Sequence, residues 1–194
     1  MKEIRLIDNT EFRAVQEEDK KYIEGYAFKY NTLSRDLGGF YETIERGSLD
    51  GADLSDVVAL FNHKQEYILA RKNVNVDTLE LIADEVGLKY RFEVDESISY
   101  VADLYKNIQK KNIQHSSFAF KIAEGGDKFE KRDGKYYRSI TKFKGIYDVS
   151  PVTNPAYLDT DSSIRSIVEG LQEGEKQEEI NNLNEYRMKL LKVK

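Results

Sequence analysis

The chain has 194 residues, 40% of them apolar and 34% charged, with a net charge of −5, no cysteine and two histidines. That excludes a thiol nucleophile, a disulfide framework and a cysteine-ligated zinc site. No stretch is basic enough to track phosphates, so nucleic-acid binding has no electrostatic support.

The first twenty residues mix charged and apolar positions without an apolar run of signal-peptide type. No segment approaches the roughly 18 apolar residues of a membrane helix, so no membrane partner is expected. Residues 1–160 read as one domain built mainly from short strands. Tyr22 to Tyr30, Phe40 to Ile44 and the continuous apolar run Val57 to Phe61 come first. A short helix is expected from Ser48. Val74 to Val76, Thr78 to Ala83 and Val86 to Phe92 follow, separated by Asn75-Val76-Asp77 and Asp84-Glu85 as turns. Ile98, Val101, Tyr105 and Ile108 recur at helical spacing, which predicts a helix starting at Asp95 or Ser97 and ending near Asn112.

Further strands are expected over Ser116 to Ile122, Tyr136 to Phe143 and Gly145 to Ser150, with turns at Gly125-Gly126-Asp127 and Asp133-Gly134. From about Asp161 the composition becomes strongly charged. There Ile180, Leu183, Tyr186 and Leu190 keep a helical spacing, so residues 161–194 read as a tail, helical or disordered.

Chemistry points to few residues. His63 directly follows the buried-looking strand Val57 to Phe61, where a rigid sheet can aim a ring that still meets solvent. In the string His115-Ser116-Ser117-Phe118-Ala119-Phe120, alternation puts Phe118 and Phe120 on one face and Ser117 with Ala119 on the other. A serine hydroxyl needs a base, and the base needs a third group to fix its tautomer. Asp148, late in a predicted strand, is the acidic candidate for that third place. No HExxH, P-loop, GxGxxG or GxSxG pattern occurs.

Six strings in order resemble the blocks of the tailed-phage prohead maturation serine proteases. They are Gly25-Tyr26-Ala27 with Asn31, Glu42 to Leu49, Leu60-Phe61-Asn62-His63, Gly87-Leu88, Ser117-Phe118-Ala119-Phe120, and Asp148-Val149-Ser150-Pro151-Val152-Thr153-Asn154-Pro155-Ala156. The resemblance covers residues 22 to 160. Three positions depart from it: Ala119 and Ala70 stand for glycines, and Ser116 stands where an apolar residue is common and offers a second hydroxyl.

The resemblance implies a serine endopeptidase with His63 and Ser117 as base and nucleophile, and neither cofactor nor metal. The family is similar in fold to the herpesvirus assemblins, which implies a mainly β, α+β architecture: a small closed barrel of about seven strands flanked by helices. The assemblins use a second histidine as third member. His115 lies too close in sequence to Ser117 for that role, which leaves Asp148. Implied substrates are the scaffold, the major capsid protein and the protease itself, inside an immature capsid in the host cytoplasm or a prophage-encoded equivalent. A homodimer is left open, and so is a catalytically inactive barrel protein that binds scaffold.

Overall fold

The computed structural model describes residues 2–7, 11–153 and 169–183, the last without 175 and 179. Within these the chain is mostly strand. In order come β1 (Glu3–Ile7), β2 (Arg13–Glu17), β3 (Lys20–Lys29), β4 (Phe40–Ile44), β5 (Val57–Phe61), β6 (Lys64–Lys72), β7 (Glu80–Ala83) and β8 (Gly87–Glu93). Helix α1 (Ser99–Gln109) precedes β9 (His115–Ile122), β10 (Asp127–Arg132), β11 (Lys135–Ile140) and β12 (Phe143–Val152). Residues 169–174, 176–178 and 180–183 are helical.

The strands form three sheets. A five-stranded sheet has the order β1-β9-β12-β5-β6, a four-stranded sheet β2-β3-β8-β7, and a three-stranded sheet β10-β11-β4. The small closed barrel of about seven strands flanked by helices, expected from the resemblance, is therefore not formed. Among the described residues all three sheets are open, and α1 with residues 169–174, 176–178 and 180–183 makes up the helix. A barrel needs its terminal strands to pair with each other. β6 instead carries exposed Lys64, Gln65 and Glu66, and its pairing with β5 is broken by two register shifts. Charge and bulges of this kind keep an edge unpaired.

Packing replaces closure. Phe28 of β3 meets Phe118 of β9 and Phe143 of β12 at centroid distances of 5.1 and 5.2 Å, and Phe120 lies 5.2 Å from Phe143. These four rings are essentially fully buried, and their tilted and edge-on contacts fasten the four-stranded sheet onto the five-stranded one. β3 and β8 approach closely at Gly87, where an added Cβ would come within 2.0 Å of the Phe28 carbonyl oxygen. α1 buries Val101, Leu104, Tyr105 and Ile108. Its N-cap is Ile98, 36% exposed, while Asp95 accepts from the Ser97 amide one turn earlier. Leu171 packs against a second, smaller cluster around Phe40 and Tyr136 on the three-stranded sheet.

Several expected elements shift. Val74 to Val76 is a turn, with Val74 95% exposed. The stretch from Ser48 is a series of turns rather than a helix, and the expected strand Tyr136 to Phe143 divides between β11 and β12. Tyr186, Leu190 and Asn154-Pro155-Ala156 lie outside the described residues.

Candidate active site

β12 runs between β9 and β5, antiparallel to the first and parallel to the second. In this register Ser117 faces Ser150, and Asp148 faces Ala119 on one side and Val58 on the other. Directly paired residues share a face. Ser117, Ala119, Asp148 and Ser150 therefore lie together on the face opposite Phe118 and Phe120.

His63 reaches this face from the β5–β6 hairpin. Asn62 and His63 are its two turn residues, with Phe61 paired to Lys64, and their φ values are +55° and +57°. This is the left-handed pair that a type I′ hairpin requires, a conformation uncommon outside glycine but one in which asparagine and histidine are enriched. The turn is tied to the end of β12. The Asn62 amide donates to the Pro151 carbonyl at 3.0 Å, and the Thr153 amide donates to Asn62 Oδ1 at 3.0 Å. The strained backbone is thus held from outside the hairpin, and the ring beside it is aimed across β12.

His63 Nε2 lies 2.6 Å from Ser117 Oγ, and His63 Nδ1 lies 2.5 Å from Asp148 Oδ1. The Ser150 hydroxyl donates to Asp148 Oδ1 at 3.1 Å, and the Lys2 ammonium donates to Asp148 Oδ2 at 2.9 Å. Burial alone would raise the Asp148 carboxyl. The hydrogen bond and charge of His63, followed by those of Lys2, outweigh it and hold the carboxyl below its usual range. An ionised Asp148 accepts from Nδ1–H, which leaves Nε2 free to take a proton from Ser117. The His63 side chain is 17% exposed, whereas Ser117 is 2% exposed.

Two other candidates separate from the site. Ser116 is fully buried on the aromatic face, where its hydroxyl pairs with Tyr90 OH at 3.0 Å. His115 opens β9 opposite Val152. Lys2 and Ser150 went unread in the sequence. Ser150 carries a signal, since it shares a face with Asp148 at a spacing of two; Lys2 carries none.

A second buried cluster holds β1 in place. Arg5 donates through Nε and Nη2 to the two Glu42 carboxylate oxygens at 2.7 and 3.0 Å, and through Nη2 to Glu3 at 2.6 Å. Arg138 donates to Glu3 at 2.6 and 3.0 Å, to Glu42 at 3.0 Å and to Asp127 at 2.7 Å. Burial would raise the Glu3 carboxyl, and Arg138 and Arg5 together pull it below its usual value.

A hydroxyl, an imidazole and a carboxylate in one hydrogen-bonded line form the constellation of hydrolases that act through an activated serine. The comparison with known families agrees: the model of the caudovirus prohead serine proteases matches residues 8–176, and the chain belongs to that family. It is thereby a peptidase of the phage prohead with capsid-related substrates. No curated protein and no solved structure gives a significant match. No helix among the described residues is long and apolar enough to cross a membrane.

Proposed function

We propose that the chain is a serine endopeptidase in which Ser117 is the nucleophile, His63 the general base and then acid, and Asp148 the group that orients His63. Its substrates are segments of the scaffold and the major capsid protein, and the chain itself, cut during prohead maturation. One observation carries the reading: the unbroken line from Ser117 Oγ through both His63 nitrogens to Asp148, with links of 2.6 and 2.5 Å.

His63 Nε2 takes the hydroxyl proton as Ser117 Oγ attacks the scissile carbonyl. The imidazolium then protonates the leaving amine, and water repeats the cycle on the acyl-enzyme. Asp148 stays ionised throughout and stabilises the imidazolium. Residues 1–160 form the peptidase unit, and the charged stretch 161–194 serves as a tether to scaffold that is cut away late.

Ser117→Ala abolishes labelling by a fluorophosphonate and stops processing of scaffold, whereas Ser116→Ala retains most of both. Full processing by purified Ser117→Ala sinks the assignment. A second reading, a catalytically silent assembly protein, draws on the near-complete burial of Ser117. Labelling confined to Ser117 decides against it.

A further inference from the structure

Ser117 Oγ is within hydrogen-bond reach of a second acceptor besides His63. It donates to the Arg5 carbonyl oxygen at 2.9 Å. That carbonyl belongs to β1, the terminal strand of the five-stranded sheet, which pairs antiparallel with β9 from Glu3↔Phe120 to Ile7↔Ser116. A serine hydroxyl has a single proton to give. While Arg5 holds it, His63 Nε2 cannot accept it, and the Arg5 carbonyl stands against the hydroxyl that would attack. β1 also covers Ser117, leaving it 2% exposed.

We propose that the edge of β9 is the strand-binding site for substrate, and that residues 3–7 occupy it in the free protein as a built-in pseudosubstrate. This rests on the peptidase reading above and specifies where that enzyme holds its peptide. Extended peptides are commonly bound by strand addition to a sheet edge, main-chain hydrogen bonds supplying affinity and alternate side chains specificity. β1 can leave without opening the rest of the sheet, because β9 stays paired with β12. Glu3 and Arg5 leave as a neutral pair, Arg138 keeps both Glu42 and Asp127, and Asp148, which loses Lys2, keeps its hydrogen bonds to His63 and Ser150. The family match begins at residue 8, so β1 lies outside it while His63, Ser117 and Asp148 lie inside. The same contacts describe the peptide that replaces β1. It offers a carboxylate to Arg138 and, two residues later, a cation to Glu42, with that same residue's carbonyl at Ser117.

The test uses the absence of cysteine from the natural chain. Ile4 and Ala119 are direct partners across β1 and β9, close enough in such a pair for a disulfide. In the full-length Ile4→Cys/Ala119→Cys protein, fluorophosphonate labelling of Ser117 is expected to fall at least about ten-fold on oxidation and to return on reduction. In a second variant, Glu3→Gln/Arg5→Gln, labelling is expected to rise at least about ten-fold over wild type. There a synthetic peptide spanning Lys2 to Asp8 slows it again, and a peptide with Glu3 and Arg5 exchanged does not. Equal labelling of the oxidised and reduced forms, or no gain in a folded Glu3→Gln/Arg5→Gln protein, overturns the strand site and leaves the peptidase intact. Absence of labelling in every form, wild type included, overturns both.

Discussion

Replacing Asp148 with asparagine changes one charge and almost no volume. Asp148 Oδ1 accepts from His63 at 2.5 Å and Oδ2 accepts from Lys2 at 2.9 Å, so an asparagine cannot satisfy both sides. If its oxygen faces His63, its amide faces the Lys2 ammonium. If its amide faces His63, Nδ1 becomes the acceptor, Nε2 carries the proton and the base is lost. Even the better orientation forfeits the attraction between a carboxylate and the imidazolium formed during attack. For charge centres about 4 Å apart at an effective dielectric of about 20, that attraction is about 4 kcal/mol. At about 1.4 kcal/mol per factor of ten, kcat should fall about a thousand-fold. The loss falls on kcat because the imidazolium exists only after proton transfer. The assay is steady-state hydrolysis of a cleavable scaffold peptide, with thermal unfolding run beside it. A kcat within about ten-fold of wild type in a folded Asp148→Asn protein refutes the orienting role.

Three further outcomes are expected. Asn62→Ala should lose about 1–2 kcal/mol more stability than Asn62→Gly, because alanine resists the φ of +55° that glycine accepts. Both should lower kcat through the lost Thr153 clamp, and denaturant melts with rate measurements check the pair. Arg138→Met leaves the Glu3 and Glu42 carboxylates buried with only Arg5 to pair them, and should cost about 3–5 kcal/mol in the same melts. Glu3, Glu24 and Asp148 have folded-state carboxyls held below their usual values of 4.5, 4.5 and 3.8. Below those values the unfolded chain binds more protons than the folded one. Stability present above about pH 4.5 should therefore drain away as pH falls through the depressed folded values. Urea midpoints measured against pH check this, and a flat profile from pH 5 to 3 contradicts it.

Where a strand buries apolar side chains, its sequence announces it. Val57 to Phe61 is continuous apolar and forms β5 with the expected ends. Alternation along β9 sorts Ser117 from Ser116 correctly, since Phe118 and Phe120 mark the core face. β1 stays hidden because its core-facing positions are Glu3 and Arg5, whose burial depends on partners at Glu42 and Arg138 far along the chain. A local pattern cannot show a pairing of that range. β6 stays hidden for the opposite reason: its charged start Lys64-Gln65-Glu66 and its short apolar run Tyr67 to Ala70 show no alternation, as suits an edge strand with little of one face buried. Val74 to Val76 misleads because β-branched residues suit a strand wherever they stand, yet the backbone turns there. The three-sheet arrangement was not legible either, since whether an edge closes on another edge is decided by bulges and charge between distant strands.

β12 is a middle strand whose two neighbours, β5 and β9, are both synthesised before it. Ser117 and His63 are 54 residues apart, and His63 and Asp148 are 85. The proposed relay is complete only once Asp148 has been synthesised and its strand has slotted between two neighbours made earlier. Assembly from such distant parts is slow relative to local folding. Under the proposed mechanism, a nascent chain that ends before β12 carries Ser117 and His63 without the carboxylate that orients the ring, so its hydrolysis should lag far behind that of the finished chain.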